Sequence, residues 1–171
     1  MIGIVAGSFD PITNGHVWLI KKAAEIVGPD GVLHVVMGVN SSKKYRFSAA
    51  ERAEQIQNVL LDNLMNRMYN RISIKIITDD LLISTAKGLN ATHIFRGIRN
   101  TKDFDYECEI QSVNRDIDSS IETVYLVPPP ELVKVSSSTV KGLVGFKGWE
   151  DLVGKYLDPY IVSEFKRTQS V

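Results

Sequence analysis

The sequence predicts an α/β fold, a five-stranded parallel sheet flanked by helices, with further short helices at the C-terminal end. Three observations carry this. Short apolar runs rich in β-branched residues alternate with helical patterns along most of the chain, the pattern of parallel strands joined by helical crossovers. The length of 171 residues amounts to about one domain at roughly 150 residues each, so residues 1–171 are expected to form a single domain. Apolar residues are 44% and charged residues 23%, with 12 glycines and 6 prolines, which suits a globular core and excludes a largely disordered or collagen-like chain.

Each element has its own warrant. Ile2 to Ala6 is an apolar, β-branched run stopped by Gly7, hence a buried strand. A helix follows from about Gly15 to Val27, closed by Gly28-Pro29-Asp30-Gly31. Val32 to Val39 is the second strand. Ser48-Ala49-Ala50-Glu51 is a capping box that opens a helix carrying Ile56, Val59, Leu60 and Leu64. Ile72 to Ile77 is the third strand, and Asp80 to Leu89 a helix stopped by Asn90. Thr92 to Phe95, Lys102 to Arg115 and Glu122 to Val127 read as strand, helix and strand. Serine caps open a helix from Ser136 to Val144. In such sheets crossovers are right-handed and ligands lie beyond the carboxyl ends of strands, so the loop after each strand is a candidate site.

Composition narrows the function classes. Twenty Lys and Arg balance 20 Asp and Glu, so the whole-chain basic excess of many nucleic-acid binders is missing. One cysteine, Cys108, allows no intramolecular disulfide and fits a reducing cytoplasm. No apolar run approaches 18 residues, so no membrane-spanning helix is expected. The opening MIGIVAGSFD has no basic stretch and meets Asp10 early, unlike a signal peptide.

The first loop, Gly7 to His16, contains two glycines that let a ligand approach the backbone, a hydroxyl at Ser8, and His16 on the first helical turn. An imidazole there can hydrogen-bond a phosphate oxygen that gains charge in a transition state. The same residues also make an ordinary turn and cap. The loop is neither a G-x-G-x-x-G dinucleotide turn nor a G-x-x-x-x-G-K-[ST] loop. Lys43, Lys44 and Arg46 follow the second strand and read equally as a solvated basic loop. Arg96-Gly97-Ile98-Arg99 follows the fourth strand, and paired guanidiniums suit a polyphosphate. Asp103 and Glu107 share a helix face with i, i+4 spacing, either as solvated charges or as partners of Lys102 and Arg99. Ser136, Ser137 and Ser138 follow the fifth strand and offer hydroxyls and free amides as well as caps.

Thr13-Asn14-Gly15-His16 resembles the T/H-x-G-H signature of the nucleotidylyltransferase superfamily. The ten-residue string GSFDPITNGH resembles the bacterial phosphopantetheine adenylyltransferase family in particular. Arg96 to Glu107 resembles that family's R-G-[IL]-R-x-x-x-D-[FY]-x-Y-E string, and Val135 to Lys141 its I-S-S-[ST]-x-[VIL]-[KR] motif. The resemblance covers nearly the whole chain and implies a Rossmann-like fold. It implies transfer of the adenylyl group of ATP to 4′-phosphopantetheine, giving dephospho-coenzyme A and pyrophosphate by direct in-line attack, with Mg²⁺ carried on the ATP phosphates and no protein metal ligand.

By the same resemblance, His16 would stabilise the transition state and Ser8 would face it. Lys43 and Arg96 would hold the acceptor phosphate, and Ser8, Leu81, Leu82 and Asn114 would complete the acceptor site. ATP would meet Ser8, Phe9 and His16, then Gly97, Ile98, Arg99 and Glu107. It would also meet the stretch Leu132, Val133, Lys134, Val135, Ser136, Ser137 and Ser138. A cytoplasmic homohexamer inhibited by coenzyme A, with no nucleic-acid or membrane partner, is implied as well.

Departures from the family pattern are few. Ser8 stands where threonine is frequent, Ala6 for proline, Val135 for isoleucine and Leu132 for an aromatic residue, and 61–71 is several residues longer, as an extended helix or loop at the periphery. Three other classes compete: a nucleotidylyltransferase with another acceptor or donor, a nucleotide-binding module without turnover, and a structural homo-oligomer. Leu81, Leu82 and the Arg96 string disfavour the first. His16, Lys43 and Arg96 together disfavour the second, and saturable ATP binding would exclude the third.

Overall fold

A computed structural model describes residues 1–169. The chain runs β1 (Ile2–Gly7), α1 (Asn14–Val27), β2 (Val32–Val39), α2 (Ala49–Asn63), α3 (Asn66–Tyr69), β3 (Ile72–Thr78) and α4 (Leu82–Gly88). It continues through β4 (His93–Gly97), α5 (Thr101–Ile117), β5 (Glu122–Leu126), α6 (Ser137–Leu143), α7 (Trp149–Val153) and α8 (Pro159–Gln169).

The five strands of the described residues form one parallel sheet in the order β3-β2-β1-β4-β5. Val5 pairs with Val35 on one side and Phe95 on the other, so β1 is central. Both faces are covered, which is why the strands read as continuous apolar runs rather than alternating ones. Val5, Val35 and Phe95 point into the larger core with α1, α2, α7 and α8. Their neighbours Ile4, Val36 and Ile94 point into a smaller core with Ile83 and Ala86 of α4. Gly3 permits the close approach of layers on the larger side, since a Cβ there would meet Phe95 Cε2 at 2.7 Å and Val27 Cγ2 at 2.8 Å.

The capping box of α2 is present: Ser48 Oγ accepts from Glu51 N at 3.2 Å and Glu51 Oε2 accepts from Ser48 N at 2.8 Å. Two expectations need correction. The helix expected from Asp80 begins at Leu82, because Asp79 adopts φ 50° and Leu81 is still extended. Asp80 instead accepts from Leu81 N at 2.8 Å and Thr85 Oγ1 at 3.2 Å. The longer 61–71 segment is not an extended helix: α2 stops at Asn63, α3 adds a turn, and the stretch is mostly exposed, with Leu64 and Met68 reaching into the larger core.

The sheet order places a topological switch between β1 and β4, where one crossover runs to β2 and the next leads away to β5. The loops beyond such a point diverge and leave a crevice at the strand ends. No helix among the described residues is long and apolar enough to cross a membrane.

Candidate functional site

A cleft of about 470 Å³ opens at that switch point. It is lined by Ser8 and His16 after β1, by Arg96, Gly97 and Arg99 at the end of β4, and by Glu107 of α5. Leu132, Val135 and Ser136 to Ser138 close it from the segment after β5. Three stretches far apart in sequence therefore supply one cavity of ligand size.

His16 is fixed by the turn that starts α1. Its Nδ1 accepts from Thr13 N at 3.0 Å and lies 3.0 Å from Thr13 Oγ1. The Phe9 ring packs edge-on against the imidazole at 5.0 Å. Burial, then the positive charges of Arg99 and Arg96, lower its pKa from 6.5 to about 4. The ring is therefore neutral at pH 7. With Nδ1 accepting a backbone amide, the single ring proton resides on Nε2, which makes His16 a hydrogen-bond donor from that atom.

Between pH 6.5 and about 4 the unfolded chain binds a proton at His16 that the folded chain refuses, so stability falls as pH falls through that window. The contribution is fully present above pH 6.5 and amounts to at most about 3 kcal/mol. His16→Gln should flatten the pH dependence of the urea midpoint between pH 4.5 and 7. An unchanged slope would show that His16 titrates normally.

The arginines are paired. Arg96 Nε donates to Glu107 Oε2 at 2.8 Å, its Nη2 contacts Glu107 Oε1, and its Nη1 donates to the Ala6 carbonyl at 3.0 Å. Glu107 is the buried residue of α5. Arg99 donates to Asp103 through Nε at 2.8 Å and Nη2 at 3.0 Å. The Arg99 guanidinium holds the Asp103 carboxyl below its ordinary range. Of the partners open from spacing, Asp103 thus takes Arg99, while Glu107 takes Arg96.

Ser136 caps α6, its Oγ accepting from Thr139 N at 3.0 Å, and Ser137 Oγ donates to the Pro11 carbonyl at 2.8 Å. A smaller hollow of about 70 Å³ adjoins the cleft and shares Arg96, Tyr106 and Glu107 with it. Leu82, Ile94, Ile110 and Asn114 line it.

Other sequence-derived residues lie elsewhere. Phe9 and Ile98 are buried and are not part of the cleft lining, although their chain neighbours Ser8, Gly97 and Arg99 are. Val133 and Lys134 are not part of its lining, and exposed Leu81 belongs to neither hollow. Lys43 is exposed on the loop after β2, outside the cleft lining, and its ammonium makes no ion pair among the described residues.

Sequence reasoning missed Thr13, Trp18, Tyr106 and Lys102, all of which line the cleft. Thr13 and Tyr106 fall inside the quoted motif strings. Trp18 follows His16 by two positions, and nothing local marks it. Among the described residues no three His, Cys, Asp or Glu side chains gather as a metal cage.

The comparisons fit this geometry. Residues 4–143 match the cytidylyltransferase-like family model. The chain is 37% identical over 154 residues to the phosphopantetheine adenylyltransferase of Chromobacterium violaceum, covering 90% of this chain and 88% of that one. It is 39% identical over 163 residues to that of Streptococcus suis, covering 95% and 93%. In fold it resembles the Plasmodium falciparum nicotinic acid mononucleotide adenylyltransferase complexed with NaAD, at TM-score 0.72 and 18% identity, over 99% of this chain and 96% of that one. A helix-flanked parallel sheet, a cleft at its switch point and identity of this extent show that the chain belongs to the cytidylyltransferase-like nucleotidyltransferases and, within them, to the phosphopantetheine adenylyltransferase family.

Proposed function

We propose that this nucleotidyltransferase transfers the adenylyl group of ATP to 4′-phosphopantetheine, giving dephospho-coenzyme A and pyrophosphate. The observation that carries the reading is the cleft itself. One cavity gathers a neutral imidazole that donates from Nε2, two arginines and four serines. That set binds and stabilises phosphate charge, and it contains no free base.

The chemistry needs none. The acceptor phosphate is ionised at neutral pH and is already a nucleophile, with its second pKa near about 6. One of its oxygens forms a bond to the α-phosphorus as the bond from α-phosphorus to the bridging oxygen breaks, and pyrophosphate leaves with that electron pair. Catalysis is then positioning plus charge stabilisation. His16 Nε2–H and Ser8 serve the α-phosphate, Arg99 and Ser136 to Ser138 the β- and γ-phosphates, and Lys43 and Arg96 the acceptor phosphate. Arg96 borders both hollows, so an acceptor phosphate beside it leaves the apolar arm facing Leu82 and Asn114. Leu81 flanks that entrance in sequence.

Mg²⁺ is taken to arrive on the triphosphate, since it favours substrate phosphates with few protein ligands. The cleft carboxylates Glu107 and Asp103 are each engaged by an arginine, which fits a cation without dedicated protein ligands. A cytoplasmic homohexamer, with coenzyme A as feedback inhibitor, completes the reading. Tyr106, Ile110, Val113 and Ile117 stand exposed at helical spacing along α5, apolar surface that an oligomer would cover. Light scattering should give the mass of a hexamer, and a monomer mass would remove this part.

The deciding experiment is pyrophosphate release from ATP and Mg²⁺ with and without 4′-phosphopantetheine. Acceptor-dependent release with dephospho-coenzyme A identified by mass is expected. Release only with another phosphate acceptor would overturn the substrate. Lys43→Ala should raise the phosphopantetheine KM by about tenfold to hundredfold, the worth of a charge-assisted contact, with little change for ATP. Equal changes for both substrates would overturn the placing of Lys43.

A further inference from the structure

We propose that Asp10 is a positioning residue that locks the loop carrying Lys43 to helix α6, and thereby sets the approach of the acceptor phosphate to the nucleotide. Asp10 is 1% exposed. A carboxylate so far from water survives only where charge and hydrogen bonds compensate it. Its Oδ1 accepts from Arg46 N and Phe47 N, both at 3.0 Å, and its Oδ2 accepts from Arg46 N at 3.0 Å and Lys141 Nζ at 2.7 Å. One carboxylate therefore joins the turn after β1, the loop after β2 and α6.

The surrounding contacts tighten the same joint. Ser137 Oγ on α6 donates to the carbonyl of Pro11, next to Asp10. Arg52 of α2 is almost fully buried, donates to the Ser8 carbonyl at 2.6 Å, and lies 4.0 Å from the Tyr45 ring centroid. At the other end of the loop, Asp79 Oδ1 accepts from Ser41 N at 2.9 Å, and Tyr45 Oη accepts from Asn40 N at 2.8 Å. The loop is fastened at 40–41 and again at 45–47, and Lys43 projects from the span between. Lys141 faces Asp10 rather than the cleft, whose lining does not include it. Its ammonium thus acts through the carboxylate. A misplacement of about 1 Å at a phosphate contact is enough to cost on the order of a hundredfold in rate.

The inference rests on the acceptor role of Lys43, and the test separates the two. Steady-state kinetics with ATP and 4′-phosphopantetheine are measured for Asp10→Asn, Lys141→Met and Lys141→Arg, and for the first two combined with Lys43→Ala. Asp10→Asn and Lys141→Met should each raise the acceptor KM about tenfold and lower kcat, with the ATP KM within about threefold. Lys141→Arg, which keeps the cation, should restore most of the loss. In either variant background Lys43→Ala should add less than about threefold, because the loop no longer presents Lys43.

Additive effects of Lys43→Ala would overturn the proposal. So would a Lys141→Met enzyme altered only in its ATP KM, since Lys141 would then be a direct phosphate ligand. If Asp10→Asn does not fold, the Lys141→Met pair decides alone, because Lys141 is partly exposed. Failure of the wild type to use phosphopantetheine would overturn the acceptor reading, and the Lys43 link with it.

Discussion

His16→Ala should lower kcat by about 10²–10³-fold, the usual loss when one preorganised donor to transition-state charge is removed. ATP affinity should stay within severalfold. The expectation follows from the state of the ring. A pKa near 4 keeps the imidazole neutral through the physiological range, and the Thr13 amide on Nδ1 leaves the proton on Nε2. A donor of this kind contributes when charge develops on the phosphate, more than when ATP binds. The pH profile separates it from a general base. A base at an ordinary histidine pKa would impose a limb near pH 6.5 that vanishes in His16→Gln. Here His16 should add no inflection between about pH 5 and 9, and any limb near pH 6 should belong to the acceptor phosphate and persist in the variant. An unchanged kcat in His16→Ala would end the assignment.

Arg96→Ala should strike activity and stability together. The guanidinium is the charged partner of Glu107, which is only 8% exposed. Removing one member of a largely buried pair leaves an uncompensated charge, a loss of about 3 kcal/mol. On the proposed acceptor role the phosphate loses one of its ligands as well, so kcat/KM for phosphopantetheine should fall by about 10³-fold, near the loss seen when a strong phosphate clamp is removed. The two losses can be separated. Adding Glu107→Gln to Arg96→Ala removes the stranded charge, so the urea midpoint should recover while activity does not. Recovery of both would mean that Arg96 serves only the fold.

Much of this architecture is legible in the sequence because sheet burial on both faces writes itself as β-branched runs. β2 follows its apolar run from Val32 to Val39 to the residue. Helix starts are legible where side-chain chemistry is local, as with Ser48 and Glu51 in α2. They are illegible where backbone conformation decides, as at Asp79 and Leu81 before α4. The cleft is legible through motif strings that each lie within one loop. Its linkages are not. Asp10 and Lys141 are separated by 131 positions, and an Asp in a turn before Pro has an ordinary local explanation. Arg52 falls in none of the motif strings, yet its spacing from Ile56 and Val59 places it on the buried face of α2. That periodicity is the signal that could have found it.

The pairing of the cleft arginines with Glu107 and Asp103 gives the site the character of an ion exchanger. Each guanidinium carries a tethered counterion of its own. A phosphate arriving there shares or displaces a carboxylate, so its gain is the difference between two similar contacts. A lone inorganic anion profits little from such an exchange. A long substrate that engages the arginines, the serines and the apolar hollow together accumulates several small differences into useful affinity. In the proposed reaction each tethered carboxylate would stand ready to reclaim its arginine as pyrophosphate leaves. Selection by number of anchors rather than by charge alone is what a cell rich in phosphate demands of such a cleft.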